Sequence, residues 1–264
     1  MRTILSAFLL FTLISFTACS SLKKQDVRPA NELYAEAQLE LEEFNYEKSV
    51  KLLETLQSRY PYGRYAQQAL MEVAYANYKQ NEPEAALSAA DRFIKQFPNS
   101  PNLDYIFYLK GLINFNDNAG FFSKLSGQDP AERDPQTLRD SFDAFRELIV
   151  RFPDSKYAED TKLRMQFLIN TLSRSDISIA SYYLRRGAYI AAVNRANNVL
   201  REFPETRQTR DALQIMVLAY NAMGRNDLRD DAQRVLDLNI AKDGIKPSIK
   251  DTLVRSGSWW QFWL

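Results

Sequence analysis

The 264-residue sequence predicts an all-α fold, a superhelical stack of about five helix pairs. Three observations predict it. Apolar residues recur at helical spacing from Asn31 to about Ile240, with almost no strand-like alternation. A phrase in which an apolar helix closes on an aromatic residue and a proline recurs as Tyr60-Pro61, Phe97-Pro98, Phe152-Pro153 and Phe203-Pro204. Small residues stand at fixed distances before these prolines.

The chain opens on an address. Residues 1–18 carry Arg2 and then an apolar run from Ile4 to Phe16, too short to span a bilayer comfortably and suited to the apolar region of a secretory signal peptide. The only cysteine, Cys19, follows the small residues Thr17 and Ala18. Phe16-Thr17-Ala18-Cys19 resembles the bacterial lipobox, departing from it at Phe16, where Leu is usual. The resemblance implies that Cys19 becomes the lipidated first residue, and Ser20 in place of Asp implies sorting to the outer membrane. Residues 19–30 are mostly polar, without apolar periodicity, and read as a flexible tether.

Residues 31–240 form the repeat body. Proline cannot continue a helix and pushes the residue before it out of helical geometry, so each aromatic-Pro phrase marks a helix end. Turn-forming pairs follow three of the four: Tyr62-Gly63, Asn99-Ser100 and Asp154-Ser155. Counting back from the prolines gives a period of roughly 34 residues, that of tetratricopeptide helix pairs. Ala74, Ala86 and Ala90 precede Pro98 at the offsets that Ala180, Ala192 and Ala196 hold before Pro204, and Ala37 and Ser49 match before Pro61. Small residues at these places let two helices approach closely. The third unit is stretched by an insert around Gly120 to Pro135, and its first helix is expected near Asn102 to Phe115. A fifth unit, about Arg207 to Asn239, turns at Gly224-Arg225 and matches least.

Composition narrows the chemistry. Without Arg2 the chain balances 33 basic against 33 acidic side chains, which gives no basic surplus for a nucleic-acid backbone. The sequence has no histidine, which removes the commonest general base and the usual zinc ligand, and a single cysteine allows neither an internal disulfide nor a thiolate cluster. No catalytic residue, metal site or cofactor is expected. A cell-wall lytic transglycosylase on a helical scaffold would need a catalytic Glu, commonly in a Glu-Ser dipeptide, and no Glu-Ser occurs.

A helical array of this kind offers an extended concave surface lined by the first helices of its pairs. The register turns Tyr34, Met71, Tyr75, Tyr78, Tyr105 and Tyr108 toward it; Gly111 allows the third unit to shift by three, and Tyr105 and Tyr108 face the groove either way. Tyr and Met suit a surface that accepts many extended apolar peptides. The alternative is that these residues are core between repeats. The carboxyl-terminal segment 241–264 carries Lys242, Lys246, Lys250 and Arg255, then Trp259, Trp260, Phe262 and Trp263, which include every tryptophan of the chain. Such a cluster suits a contact outside the repeat body, with a membrane surface or a partner. It could also occupy the chain's own groove or cap the last helix pair.

An ordered string of motifs resembles one family: Asn31-Glu32-Leu33-Tyr34, Arg59-Tyr60-Pro61-Tyr62-Gly63, Asp91-Arg92-Phe93-Ile94, Pro101-Asn102 with Asp104-Tyr105, Gly120-Phe121-Phe122, Arg133-Asp134-Pro135-Gln136 and Ala191-Ala192-Val193-Asn194-Arg195. These are similar to the BamD family, outer-membrane lipoproteins of the β-barrel assembly (BAM) machinery. The resemblance implies a non-enzymatic subunit on the periplasmic face of the outer membrane. It implies that the amino-terminal repeats receive unfolded outer-membrane proteins. The carboxyl-terminal repeats, with Arg195 at the contact, would hold the POTRA domains of the barrel subunit BamA, and other BAM lipoproteins. A different periplasmic helical-repeat lipoprotein scaffold is the competing reading.

Overall fold

A computed structural model of the chain describes residues 28–115 and 135–249. The expected signal peptide, Cys19, most of the insert around Gly120 and the tryptophan cluster lie outside the described residues. Among the described residues are ten helices and no strand: α1 (Ala30–Glu42), α2 (Tyr46–Arg59), α3 (Arg64–Lys79), α4 (Pro83–Gln96), α5 (Leu103–Phe115), α6 (Pro135–Arg151), α7 (Ala158–Arg185), α8 (Tyr189–Glu202), α9 (Gln208–Ala222) and α10 (Asn226–Asp243). The chain is all-α, built of tetratricopeptide-like helix pairs. It divides into two compact units, one ending at Ala69 and the other beginning at Leu70.

The four aromatic-Pro phrases end four helices in the same way. The aromatic N–H donates to the carbonyl four residues back: Tyr60 to Leu56 at 2.7 Å, Phe97 to Phe93 at 2.8 Å, Phe152 to Leu148 at 2.8 Å and Phe203 to Val199 at 2.9 Å. The chain then turns, with Ser100, Ser155 and Thr206 N–H groups donating back to the carbonyls of Phe97, Phe152 and Phe203. Glu205-Thr206 therefore supplies the fourth turn that the sequence pattern left without one.

The reverse turn inside four of the pairs is also repeated. Phe44, Asn81, Gly187 and Gly224 have left-handed φ values of 62°, 61°, 77° and 69°. In each case the next N–H reaches back five residues to a carbonyl: Asn45 to Glu40, Glu82 to Asn77, Ala188 to Tyr183 and Arg225 to Tyr220. This is the αL-capped helix end that satisfies orphan carbonyls. The αL residue lies seven positions after Ala37, Ala74 and Ala180, the small residues read from the sequence, and all three are fully buried.

Gly111 holds that small-residue position in the third pair, which fixes the register that the sequence left open. Ser141 on α6 donates to the Gly111 carbonyl at 2.9 Å, as Ser49 on α2 donates to the Ala37 carbonyl at 2.9 Å. A Cβ at Gly111 would stand 2.2 Å from the Phe145 ring. Four residues beyond Ser49, Ala86, Ser141 and Ala192 stand Leu53, Ala90, Phe145 and Ala196, all fully buried. Gly opposite Phe, and Ala opposite Leu or Ala, keep the helices close with little void.

The second unit packs α4 on α5, α5 on α6, α6 on α7, α7 on α8, and α9 on α7, α8 and α10. The sequence pattern placed one stretch, in the third pair; α7 holds a second. The spacing after the other prolines would put the small residue of the fourth pair at Gln166, yet it is Ala180, so α7 carries about fourteen extra residues, close to four turns. The long helix joins two cores. Leu168 and Leu172 pack with Leu138, Phe145 and Phe203, while Ile177, Ala180 and Leu184 pack with α8 and α9. Arg229 and Gln233 take the small-residue places in the last pair, and α10 buries Ala232 and Leu236 instead.

Candidate functional site

The residues expected to line a groove are all half-buried. In the first unit the Tyr34 ring lies 5.4 Å from Tyr65, and Arg64 stands 4.8 Å over the Tyr65 ring. In the second unit Tyr108 stacks on Tyr157 at 4.6 Å, and Lys156 stands 5.0 Å over the Tyr157 ring. The two arrangements correspond in register. Tyr34 and Tyr108 each lie three positions before the small residue of their pair, while Tyr65 and Tyr157 each lie four positions after a proline. Met71 shares the register position of Tyr34 and Tyr108.

Tyr105 is 5.8 Å from Tyr157. Burial raises the pKa of its hydroxyl, and the phenols of Tyr157, Tyr75 and Tyr78 and the Glu72 carboxylate add to the rise. The structure thus brings Tyr75, Tyr78, Tyr105 and Tyr108 together with Tyr157. Burial also pushes Tyr108 up to about 12, helped by a 2.7 Å hydrogen bond that its hydroxyl donates to Asp160. Burial opposes the charge of Asp160, but donors from Arg164 and Tyr108 outweigh it and hold the carboxyl below its ordinary value. Rings continue from Tyr108 to Phe145 at 6.2 Å, to Phe115 at 6.4 Å and to Phe167 at 5.5 Å. Sequence reasoning missed Tyr157, Asp160, Arg164, Phe115 and Phe167. The place of Tyr65 and Tyr157 after their prolines was the available signal for one of them.

Such a surface offers hydroxyl donors and ring faces beside cations. Among the described residues no three acidic or cysteine side chains are placed to hold a metal ion, and no helix is long and apolar enough to cross a membrane.

Arg195 sits on α8 and donates to Asp176 of α7 at 3.0 Å, the Arg side chain 40% exposed and the Asp 6%. Burial raises the pKa of Asp176, while Arg195 works against the rise. The second carboxylate oxygen of Asp176 is buried and accepts no hydrogen bond. Arg139 on α6 pairs with Glu202 on α8 at 2.9 Å. Arg195 is therefore partly engaged within the chain, with part of its side chain open to solvent.

The segment after α10 turns at Gly244, in the left-handed region at φ 72°. Ser248 then donates both its N–H and its hydroxyl to Asp211, in the first turn of α9. Ile249 packs against the core shared by α7, α8 and α9. The beginning of the basic tail is thus part of the folded body, where the sequence pattern ends the body at Ile240. Trp259, Trp260, Phe262 and Trp263 lie outside the described residues.

Comparison with known proteins places the chain. The model of the YfiO family, described as outer membrane lipoprotein, matches residues 26–235. The outer membrane protein assembly factor BamD of Neisseria meningitidis serogroup B is 45% identical over 233 residues, covering 88% of this chain and 86% of the relative. BamD of Pasteurella multocida is 35% identical over 232 residues, with 88% and 89% covered. BamD of Xylella fastidiosa is 35% identical over 240 residues, with 90% and 82% covered. The match spans the helix pairs from the first helix into the last, and on it the chain belongs to the BamD family of outer membrane lipoproteins.

Proposed function

We propose that this chain is a non-enzymatic subunit of the BAM complex, held at the periplasmic face of the outer membrane by lipid on Cys19. It binds unfolded outer-membrane proteins and the POTRA domains of the barrel subunit BamA, and so promotes folding and insertion. The relatives are named outer membrane protein assembly factors. Other BAM lipoproteins are further partners on this reading.

The observation that carries the client-binding role is the set of half-buried tyrosines on α3, α5 and the start of α7. Outer-membrane β-strands present alternating apolar residues and often end in an aromatic. Rings, phenol hydroxyls and the nearby Lys156 and Arg164 cations suit such a chain and its terminal carboxylate. Tyr34 with Tyr65 and Arg64 offers the same chemistry in the first unit. For Arg195 the support is its exposure: a partner carboxylate can share a guanidinium that Asp176 already orients.

A synthetic peptide with the sequence of the last strand of an outer-membrane barrel, titrated against chains carrying a photo-crosslinker at Tyr34, Tyr75 or Tyr78, tests the reading. Crosslinks at these positions are expected. Silence at these positions, with crosslinks instead to probes placed on exposed positions of α8 and α10, would show that clients bind at the other end.

A further inference from the structure

Arg195 reaches solvent from a polar junction of α6, α7 and α8. Its guanidinium donates to one oxygen of Asp176 at 3.0 Å. The Asp176 side chain is 6% exposed, against 40% for Arg195. The other Asp176 oxygen is buried and accepts no hydrogen bond among the described residues. Burial opposes the charge of Asp176, Arg195 and Arg139 favour it, and Glu202 adds to the opposition. Arg139 and Glu202 bond each other at 2.9 Å, so among the described residues Arg195 is the one cation bonded to Asp176. The exposed Arg174 stands two residues before Asp176 on α7. Helix α9, also packed on α7, carries Arg210 and Asp211 in its first turn, and Asp211 is bonded to Ser248.

The charges at the junction balance, Arg139 and Arg195 against Asp176 and Glu202. A partner carboxylate arriving at the open part of Arg195 adds a negative charge. It also draws on the cation that keeps Asp176 ionised, and it removes water from around the guanidinium. Like charges brought together where water is scarce favour protonation of the more buried one. Glu202 still meets water, and so does an acid on a partner surface, whereas Asp176 does not. Its unbonded oxygen can receive the proton while the other keeps its bond from Arg195.

We propose that Asp176 positions Arg195 for a partner carboxylate and takes up a proton when that carboxylate binds, so that capture tightens as pH falls. This rests on the reading that Arg195 meets an acidic group of the barrel subunit. The complex then holds more protons than the free chain. Affinity rises toward acid by at most roughly tenfold per pH unit, the limit for one proton. The window runs from the pKa of Asp176 in the free chain, already raised by burial, up to its higher value in the complex. A surface ion pair between Arg195 and a partner acid would do the opposite and weaken toward acid, because pairing lowers the pKa of an ordinary carboxylate. The sign of the pH dependence therefore separates the two.

Titration calorimetry of the full chain against the barrel subunit, both in detergent and in buffers of different ionisation enthalpy, reads the proton directly. The wild-type chain should take up protons on binding and should bind more tightly in mildly acidic than in mildly alkaline buffer. Asp176→Asn keeps an acceptor for Arg195 and has no proton to gain. It should bind at neutral pH at least as tightly as wild type, with the uptake and the rise toward acid both lost. Asp176→Asn that lowers affinity equally at every pH and leaves the proton count unchanged would show a merely structural role and overturn the proposal. Arg195→Leu checks the contact beneath it. If that variant binds the barrel subunit as wild type does, the contact reading falls and the inference falls with it. If Arg195→Leu weakens capture while wild type and Asp176→Asn share one proton uptake and one pH dependence, the contact stands and the inference alone is wrong.

Discussion

At the scale of single residues, two positions depart from what their surroundings favour. Phe44 occupies the left-handed turn position that Asn81, Gly187 and Gly224 hold elsewhere, with φ at 62° and its ring largely exposed. A bulky L-residue there costs about 1–2 kcal/mol. Phe44→Gly should therefore raise stability by about 0.5–1 kcal/mol, read as a higher urea midpoint at an unchanged slope. The second is Asp176, a buried carboxylate satisfied only by Arg195. Arg195→Leu should cost about 1–3 kcal/mol at neutral pH, less than a fully buried pair would, because water already reaches the guanidinium. The sign with pH follows from the raised Asp176 pKa. The native state takes up a proton more readily than the unfolded chain, so this group favours folding below the ordinary Asp value, and the contribution is lost as pH rises through the raised one. The Arg195→Leu defect should shrink as pH falls toward that range and should be largely cancelled by adding Asp176→Asn. Loss of the barrel subunit that persists in the double variant would then be a property of the contact, not of stability. Neither feature was legible in the sequence: nothing local distinguishes Phe44 from a helical residue, and Arg195 and Asp176 meet only through the packing of α7 and α8.

At the scale of elements, the pair interface follows a rule of complementary size. By register Ala37 corresponds to Leu53, Ala74 to Ala90 and Ala180 to Ala196, all fully buried, and Gly111 faces Phe145. Gly111→Ala should destabilise by about 1–3 kcal/mol, since the added Cβ would overlap the Phe145 ring and force it to shift. Combining it with Phe145→Leu recreates the Ala and Leu of the first pair. The double variant should be more stable than the sum of the single effects by at least about 1 kcal/mol in a double-mutant cycle, and strict additivity would refute the size rule. The helix ends were readable because proline and the preceding aromatic dictate them locally. The extension of α7 was not, because about fourteen residues, Thr171 and Ser173 among them, pass without a glycine or proline to break the helix. An insertion of nearly four whole turns also preserves the helical periodicity, which hides it from pattern reading.

At the scale of the whole molecule, the proposed function joins an address to a binding body. Cys19→Ser should abolish lipid attachment and release the protein from membranes; an unmodified thiol on the mature wild-type chain, found by mass spectrometry, would contradict the anchor. The composition of the tyrosine set was legible, because first-helix register repeats along the sequence. Its geometry was not, because Tyr157, Asp160 and Arg164 reach Tyr108 only when α7 lies along α5 and α6. The central claim is that the tyrosines of α3 and α5 bind client chains. The most direct measurement is the affinity of an aromatic-ended β-strand peptide for the wild-type chain and for Tyr75→Ala with Tyr78→Ala. The account predicts at least a tenfold loss, about 1.4 kcal/mol, with the thermal melt nearly unchanged because both side chains are half-exposed. Equal affinity in the two proteins would contradict it.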